Sequence, residues 1–489
     1  MSLVFQKCTS TSWIVSLLVS TNLLSQLPLE LQANECELWH VETMRDEVTE
    51  YHKFTLVLRR GDEAIKCSYT ITLGDLVVGN GCLWIPAKDG DVSFIYESCN
   101  AFTEIGEKNW KQILTEQDDT NILISGGDLV YCDDLWNRCG LLKEWLRLSK
   151  IGKMRAKFTK SLEQEVDSFY KSTYESAWGR GSFGRVLKKI PLIAMWDDHK
   201  IFDGYGSYPD WLIESPVIQG IYRMARKYFA LFQLHLFDTE EFMIFNKIYC
   251  VDNIIIVSMD HRSERRMDRI MTKHSFSKLM IDIREKTQVG MEMLILSSIP
   301  WVFPLITKVS DVIRFVPNLG LLDNLPFMKH HYNIFGTDLD LKEDLFDSWN
   351  HPSHLDELKE MIEGFLCIQN DVGNLNITIL SGDTHVGGSG SIDVCKVRRI
   401  KQIIASPIGS PHMHPQLVSI LKLLSKSQTL ELNNCTIDQH IDPKSLTNTN
   451  HWLRLCWSKQ TKLLGFIRFE TPIIQDHLEN SIQLCCSWD

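Results

Sequence analysis

Apolar and polar positions change rhythm along the chain. Between residues 35 and 87, short β-branched and aromatic runs alternate with turn residues: FTLVLR at 54–59, CSYTITL at 67–73, then Gly79 and Gly81, read as a turn. This predicts a small β-rich module over residues 1–91. The apolar stretch at 13–27 (WIVSLLVSTNLLSQL) is interrupted by Ser, Thr, Asn and Gln, with Lys7 ahead of it. It falls short of the about 18 apolar residues a membrane helix needs. It therefore reads as a strand or helix of the module, with a signal peptide as the open alternative.

From residue 92 the apolar runs become continuous: 92–96, 121–125 (NILIS), 190–195 (IPLIAM), 253–259 (NIIIVSM), 293–299 (MLILSSI) and 376–380 (NITIL). Such runs suit strands buried on both faces, with helices between them. Residues 143–149 and 162–176 have helical spacing, and 179–184 reads as a Gly-rich loop. The expected class is α/β, with one sheet whose strands end in polar clusters, where open α/β sheets bind ligands. The domain spans 92–415. An extension over 416–489 carries a helix at 417–424 and a hairpin with arms at 451–457 and 462–469.

Composition narrows the function classes. The 489 residues are enough for two or three domains, and 44% apolar with 23% charged residues is ordinary for a folded chain. A net charge of −11 gives no general electrostatic reason to coat nucleic acid or an anionic membrane. No other segment reaches transmembrane length. Fourteen scattered cysteines without a CxxC pair suit reduced thiols and a cytoplasmic location.

The strand ends supply the candidate chemistry: Cys99, Asn100, Asp128, Tyr131, Asp133, Asp197, Asp198, His199, Asp383 and His385. Thiol, phenol, imidazoles and carboxylates converging on one edge are a donor set for two or more cations. Taken singly, each has a plainer reading: Asp128 as a turn residue, Cys99 as packing, Asp197–His199 as a helix cap. Repetition over several strands favours ligation.

Longer stretches carry a resemblance. FIYESCNAF (94–102), ISGGDLVYCDD (124–134), WDDHKIFDGYGSYPD (196–210), SMDHRSER (258–265), LILSSIPWVFP (294–304), DLFDSWNHPSH (344–354), ILSGDTHVGG (379–388) and IIASPIG (403–409) stand in family order. In these the chain resembles the alkaline phosphatase D-like (PhoD-like) branch of the calcineurin-type metallophosphoesterases, especially its fungal and plant members. The resemblance implies a four-layer α/β sandwich with metals at the carboxyl ends of the strands. It implies Asp128 as a carboxylate bridging two metals and Cys99, Tyr131, Asp198, Asp383 and His385 as further ligands. His199 would face the leaving group, and Asn100 and Arg262 would meet the substrate phosphate. Two or more metal ions are implied, iron with calcium or manganese or zinc in their place. The reaction would be hydrolysis of phosphomonoesters, phosphodiesters or both by a metal-bound hydroxide. The alternative is a catalytically silent relative that binds a phosphorylated ligand or a protein partner, the latter through the N-terminal module.

The chain departs from the family pattern at Lys200, where an acidic residue is usual, and at Gly387, Gly388 and Ser389, which replace an apolar run. Lys200 is expected either to weaken metal affinity or to help bind phosphate. His330, His331, His351 and His354 match a His-rich loop only loosely, and the plainer reading of each is a surface histidine.

Overall fold

The computed structural model describes all residues except 23–26, 47, 118, 239–243, 305–334, 336–347, 374, 426, 433–434, 462, 471–482 and 487–489. The first seven strands are Ser2–Cys8 (β1), Ser12–Asn22 (β2), Leu29–Ala33 (β3), Cys36–Arg45 (β4), Thr49–Arg59 (β5), Ile65–Leu73 (β6) and Leu76–Ile85 (β7). Val92–Glu97 (β8), Ile122–Ser125 (β9), Leu192–Ala194 (β10), Lys247–Val251 (β11), Ile254–Ser258 (β12), Glu292–Ser297 (β13) and Asn376–Ser381 (β14) follow. The last are Gly388–Val394 (β15), Arg398–Ile404 (β16), Gln428–Leu432 (β17), Cys435–Ile441 (β18), His451–Ser458 (β19), Leu463–Glu470 (β20) and Gln483–Cys486 (β21).

These strands form two large sheets and one small sheet. The ten-stranded sheet runs β21-β20-β19-β8-β9-β10-β1-β2-β5-β4, and the eight-stranded sheet runs β11-β12-β13-β14-β16-β15-β18-β17. The small sheet is β3-β6-β7. Each large sheet has a parallel centre, with Phe94 opposite Ile122 and Leu123 opposite Leu192 in one, and Ser258 opposite Leu296 and Ser297 opposite Ser381 in the other. The expected single sheet is thus two. Continuous apolar runs report burial on both faces, and nothing in them says which strands share hydrogen bonds.

Alternation along each strand sorts side chains into three cores. Phe94, Tyr96, Ile122, Ile124 and Ile193 from one sheet share a core with Ile254, Ile256, Leu294, Leu296 and Leu380 from the other. On the opposite faces, Ile95 and Leu123 pack under helices Glu104–Glu116, Lys160–Trp178 and Pro216–Phe229. Ile255, Met293 and Ile379 pack under helices Lys273–Lys286 and Leu355–Val372. Thr103, Thr159, Ser215 and Thr272 cap four of these helices by accepting backbone N–H bonds in the first turn. No helix among the described residues is long and apolar enough to cross a membrane.

Residues 13–22 of the interrupted apolar stretch lie in β2, paired with β1 on one side and β5 on the other. Strands β1, β2, β4 and β5 extend the same sheet that holds β8–β10, with Val4 opposite Leu192. The turn expected at Gly79 and Gly81 lies instead at Gly74, where φ is +59°, and both later glycines are inside β7. A Cβ on Gly81 would stand 2.3 Å from the Lys188 carbonyl oxygen, so close approach is what requires glycine there. The expected Gly-rich loop at 179–184 contains a short helix, Gly181–Val186, because Glu107 accepts the Ser182 N–H and hydroxyl at its start. Ten described cysteines are free thiols, and Cys395 is disulfide-bonded.

Candidate metal centre

The loops leaving β8, β9 and β10 build one half of the site. Gly126 is required because a Cβ there would stand 2.0 Å from the Tyr96 hydroxyl oxygen. The chain then crosses between strands: the Cys99 amide donates to the Gly127 carbonyl at 3.2 Å and the Asn100 amide to the Asp128 carbonyl at 2.8 Å. Cys99 and Asp128 both have left-handed backbones, with φ of 57° and 52°. Left-handed conformations cost energy for residues other than glycine and persist where their surroundings impose them. This one sets the Cys99 thiol 3.4 Å from Asp128 Oδ2, donating to it.

The loop after β14 supplies the other half. Gly382 lies so close to Ser98 that a Cβ would stand 2.4 Å from that residue's Cβ, which brings the edges of the two sheets together. Asp383 and His385 follow, again left-handed, at φ of 67° and 54°. Ser410, whose amide donates to the Cys99 carbonyl at 2.9 Å, donates from Oγ to the Tyr131 hydroxyl at 3.0 Å. That hydroxyl lies 3.5 Å from His385 Nε2.

Three overlapping groups of donor atoms result, each with all atoms within 4.8 Å of one another: Cys99, Asp128 and His385; Asp128, Asp197 and Asp198; Asp198, His199 and Asp203. Asp128 Oδ1 is buried without a hydrogen-bond partner. Burial, and then the Asp128 charge, push the Cys99 thiol well above its usual range; burial, Cys99 and Asp128 do the same to the Tyr131 phenol. Burial likewise raises the Asp128 carboxyl, with Asp197 and Asp198 adding to the rise. A thiol, a phenol and a carboxyl that all resist losing protons, aimed at one point, fit a cation, whose charge reverses each of those penalties.

His199 stands beside this cluster with its ring 4.3 Å from that of Tyr131. Its Nδ1 lies 2.7 Å from Asp133 Oδ2 and its Nε2 lies 3.5 Å from Asp203 Oδ1. Burial would lower its pKa, but the carboxylates of Asp133, Asp128 and Asp198 outweigh it and hold the imidazole well above its usual range. Asp133 also accepts the Asp203 amide at 2.6 Å, which fixes the carboxylate's direction. Arg262 is fully buried, with Nη2 3.3 Å from Asp198 Oδ1 and Nη1 donating to the Tyr205 carbonyl at 3.4 Å.

Of the residues singled out from the sequence, Cys99, Asp128, Tyr131, Asp198, His199, Arg262 and His385 form one connected cluster. Asp383 flanks it, its charge bearing on Cys99. Asn100 is fully buried, its amide oxygen accepting from Trp110 at 3.0 Å and its amide nitrogen donating to the Leu129 carbonyl at 3.5 Å. Lys200 is fully buried as well, ion-paired with Asp197 beneath the site. His351 and His354 meet each other at 6.0 Å, and His354 faces Glu357. His330 and His331 lie outside the described residues.

Asp203 and Glu97 are not among the residues singled out from the sequence, whereas Asp133 and Asp197 are, as donors, and Asp133 instead holds His199. Asp203 stands four residues after His199, a spacing that brings side chains together on a helical turn, and Asp133 stands two after Tyr131. Glu97, at the end of β8, left no such signal. Burial pushes its carboxyl up to about 8, against the pull of Ser125 and Lys200.

The family model described as PhoD related phosphatase matches residues 91–318 and 321–448. An uncharacterized protein of Saccharomyces cerevisiae is 24% identical over 424 residues, covering 74% of this chain and 59% of its own length, so the chain spans well under two thirds of that relative. A solved structure titled Structure of PhoD superimposes with a TM-score of 0.60 at 11% identity, covering 99% of this chain and 88% of that one, a likeness of fold. With the family model matching most of its length, the chain belongs to the PhoD-related phosphatases.

Proposed function

We propose that the chain is a metal-dependent phosphoesterase of the four-layer metallophosphoesterase type, hydrolysing phosphomonoesters, phosphodiesters or both. The observation that carries this reading is the first donor group: Cys99, Asp128 and His385 within 4.8 Å, drawn from loops of both large sheets, with Asp128 Oδ1 buried and unpartnered. Cys99, Asp128, Tyr131, Asp198, Asp383 and His385 would hold two or more cations, iron with calcium or manganese or zinc. When bound, such ions neutralise phosphate oxygens and lower the pKa of water toward neutrality.

The chain's own residues would do the rest. Asp133 holds His199 Nδ1, which leaves Nε2 to carry a proton. The raised pKa of His199 suits it to give that proton to the departing oxygen of the ester. Asp203, near Nε2, would limit where that proton points. Arg262 would share its guanidinium between Asp198 and a phosphate oxygen, the use to which a planar donor fork is suited. Asn100 would act by holding the Cys99 loop against Trp110.

The test is hydrolysis of p-nitrophenyl phosphate and bis-p-nitrophenyl phosphate with Mn²⁺, Ca²⁺, Zn²⁺ or iron. Turnover is expected to require metal, vanish in Asp128→Asn and fall strongly in His199→Ala. The ratio of the two rates would assign the substrate class. A folded protein that binds metal and turns over neither ester with any cation would overturn the reading in favour of a silent binding relative.

A further inference from the structure

The buried charges under the site are apportioned. Asp197 is fully buried; its Oδ2 accepts the Asp128 amide at 2.8 Å and is ion-paired with Lys200. Its Oδ1 has no hydrogen-bond partner. The Lys200 ammonium has no solvent exposure and lies 5.9 Å from the centroid of the Phe229 ring, on the core side of Asp197. Arg262, another fully buried cation, stands against Asp198. Asp197 and Asp198 thus each stand against a buried basic side chain, while Asp128 faces the Cys99 thiol with the His199 charge bearing on it.

A buried ammonium paired with Asp197 offers no exposed contact to a substrate phosphate. We propose that Lys200 is a positioning residue for the metal centre. It neutralises Asp197 from below, and Asp197 in turn grips the amide of Asp128, whose left-handed backbone must be held for its carboxylate to face the cations. The proposal rests on the reading of Asp128 as a metal ligand. Its physical basis is that a buried carboxylate stripped of its ion-pair partner becomes costly and rearranges, and that groups orienting a ligand are felt in metal affinity.

The experiment measures Mn²⁺ and Ca²⁺ binding by equilibrium dialysis, together with thermal melting. The proteins are wild type, Asp128→Asn, Lys200→Met and the double variant Asp197→Asn/Lys200→Met. Lys200→Met is expected to weaken cation binding by about 10–100-fold and to lower the melting temperature. The proposal takes Asp197 as the carboxylate of the second donor group that orients rather than ligates, so in the double variant, where an amide oxygen still accepts the Asp128 N–H and no charge needs a partner, both properties are expected to return most of the way. Lys200→Met binding cations within about twofold of wild type would overturn the proposal, because outer groups that orient a ligand cost more than that. So would a folded double variant that binds no better than Lys200→Met. If Lys200→Met does not fold, recovery of fold and binding in the double variant supports the proposal, and a folded double variant without binding overturns it. A wild type that, like Asp128→Asn, binds neither cation and also neither Zn²⁺ nor iron in the same dialysis would overturn the metal reading itself and this proposal with it.

Discussion

The two halves of the site are built differently. Cys99, Asp128 and Asp198, on loops of the ten-stranded sheet, are buried, and each is gripped by other side chains or amides around it. Asp383 and His385, on the loop of the eight-stranded sheet, are half-buried, and His385 meets the first half through the Tyr131 hydroxyl. Both halves use left-handed backbones, so local strain does not separate them. What separates them is depth of burial. The first half lies wholly inside the protein, whereas the second is partly open to solvent, so loss of a ligand should be felt more in the first.

The largest effect that would break this comparison is an equal response of the two halves to loss of a ligand. Asp128→Asn should lower kcat by about 1,000-fold or more, the scale on which removal of a key electrostatic group acts, and should abolish cation retention on dialysis. His385→Asn should weaken binding by about 10–100-fold while leaving the melting temperature near wild type. Equal losses in both variants would mean that the second half is as deeply built in as the first.

The next effect concerns His199, which the first half alone orients. Asp133→Asn keeps the shape at Nδ1 but removes the charge, so kcat should fall by about 100-fold with KM little changed. A pH–rate profile would show the His199 limb displaced toward lower pH, because one of the carboxylates raising its pKa is gone. An unchanged limb would leave Asp133 without a part in the chemistry.

How much of this was legible differs by region for physical reasons. Strands β8, β9, β12, β13 and β14 announced themselves because burial on both faces demands unbroken apolar runs. Their division between two sheets did not, since Phe94 and Leu294 meet in one core although their strands never pair. Strand β15 begins Gly388-Ser389-Gly390-Ser391, a composition that reads as loop. Gly390 is in place because a Cβ would stand 2.7 Å from the His440 carbonyl oxygen on the neighbouring strand. In the site, residues whose chemistry is written in their type, such as Cys99, Asp128 and His385, are singled out by sequence and brought together by the fold. Lys200 stands out in the sequence as a departure, but its burial and its ion pair with Asp197, three residues earlier, are features of the fold that residue type does not show.

A smaller effect probes the rigidity of the first half. Gly126→Ala would put a Cβ 2.0 Å from the Tyr96 oxygen, and overpacking of this kind costs about 1–3 kcal/mol. The expected result is a lower urea midpoint with an unchanged m-value. Tyr96→Phe should be close to neutral, because the Tyr96 hydroxyl is buried without a partner. A tolerated Gly126→Ala would show that the loop after β9 can move, against the contrast drawn between the halves.

The smallest effect bears on the joint between the sheets. His451, in β19 of the ten-stranded sheet, accepts from its Nε2 side the Ser406 amide at 3.1 Å, on the loop that leaves β16 of the eight-stranded sheet. Burial, with the Arg468 charge adding to it, lowers its pKa to about 3. The folded protein therefore refuses a proton that the unfolded chain takes up near pH 6.5. The sign follows: this contribution to stability is complete above the unfolded pKa and is lost as pH falls below it toward the folded value. Between pH 7 and pH 6 the loss from this one group should be about 0.7 kcal/mol. His235, buried and held by Ser2 and Ser16 with its pKa lowered by burial and by Lys53, acts in the same direction. The useful quantity is thus the difference between wild type and His451→Gln, whose amide oxygen can still accept the Ser406 N–H. Urea midpoints at pH 7 and pH 6 should fall less in the variant than in wild type. Parallel falls would mean that the joint at β19 opens enough to let His451 protonate in the folded state, and that the second half of the site is held more loosely than its hydrogen bonds imply.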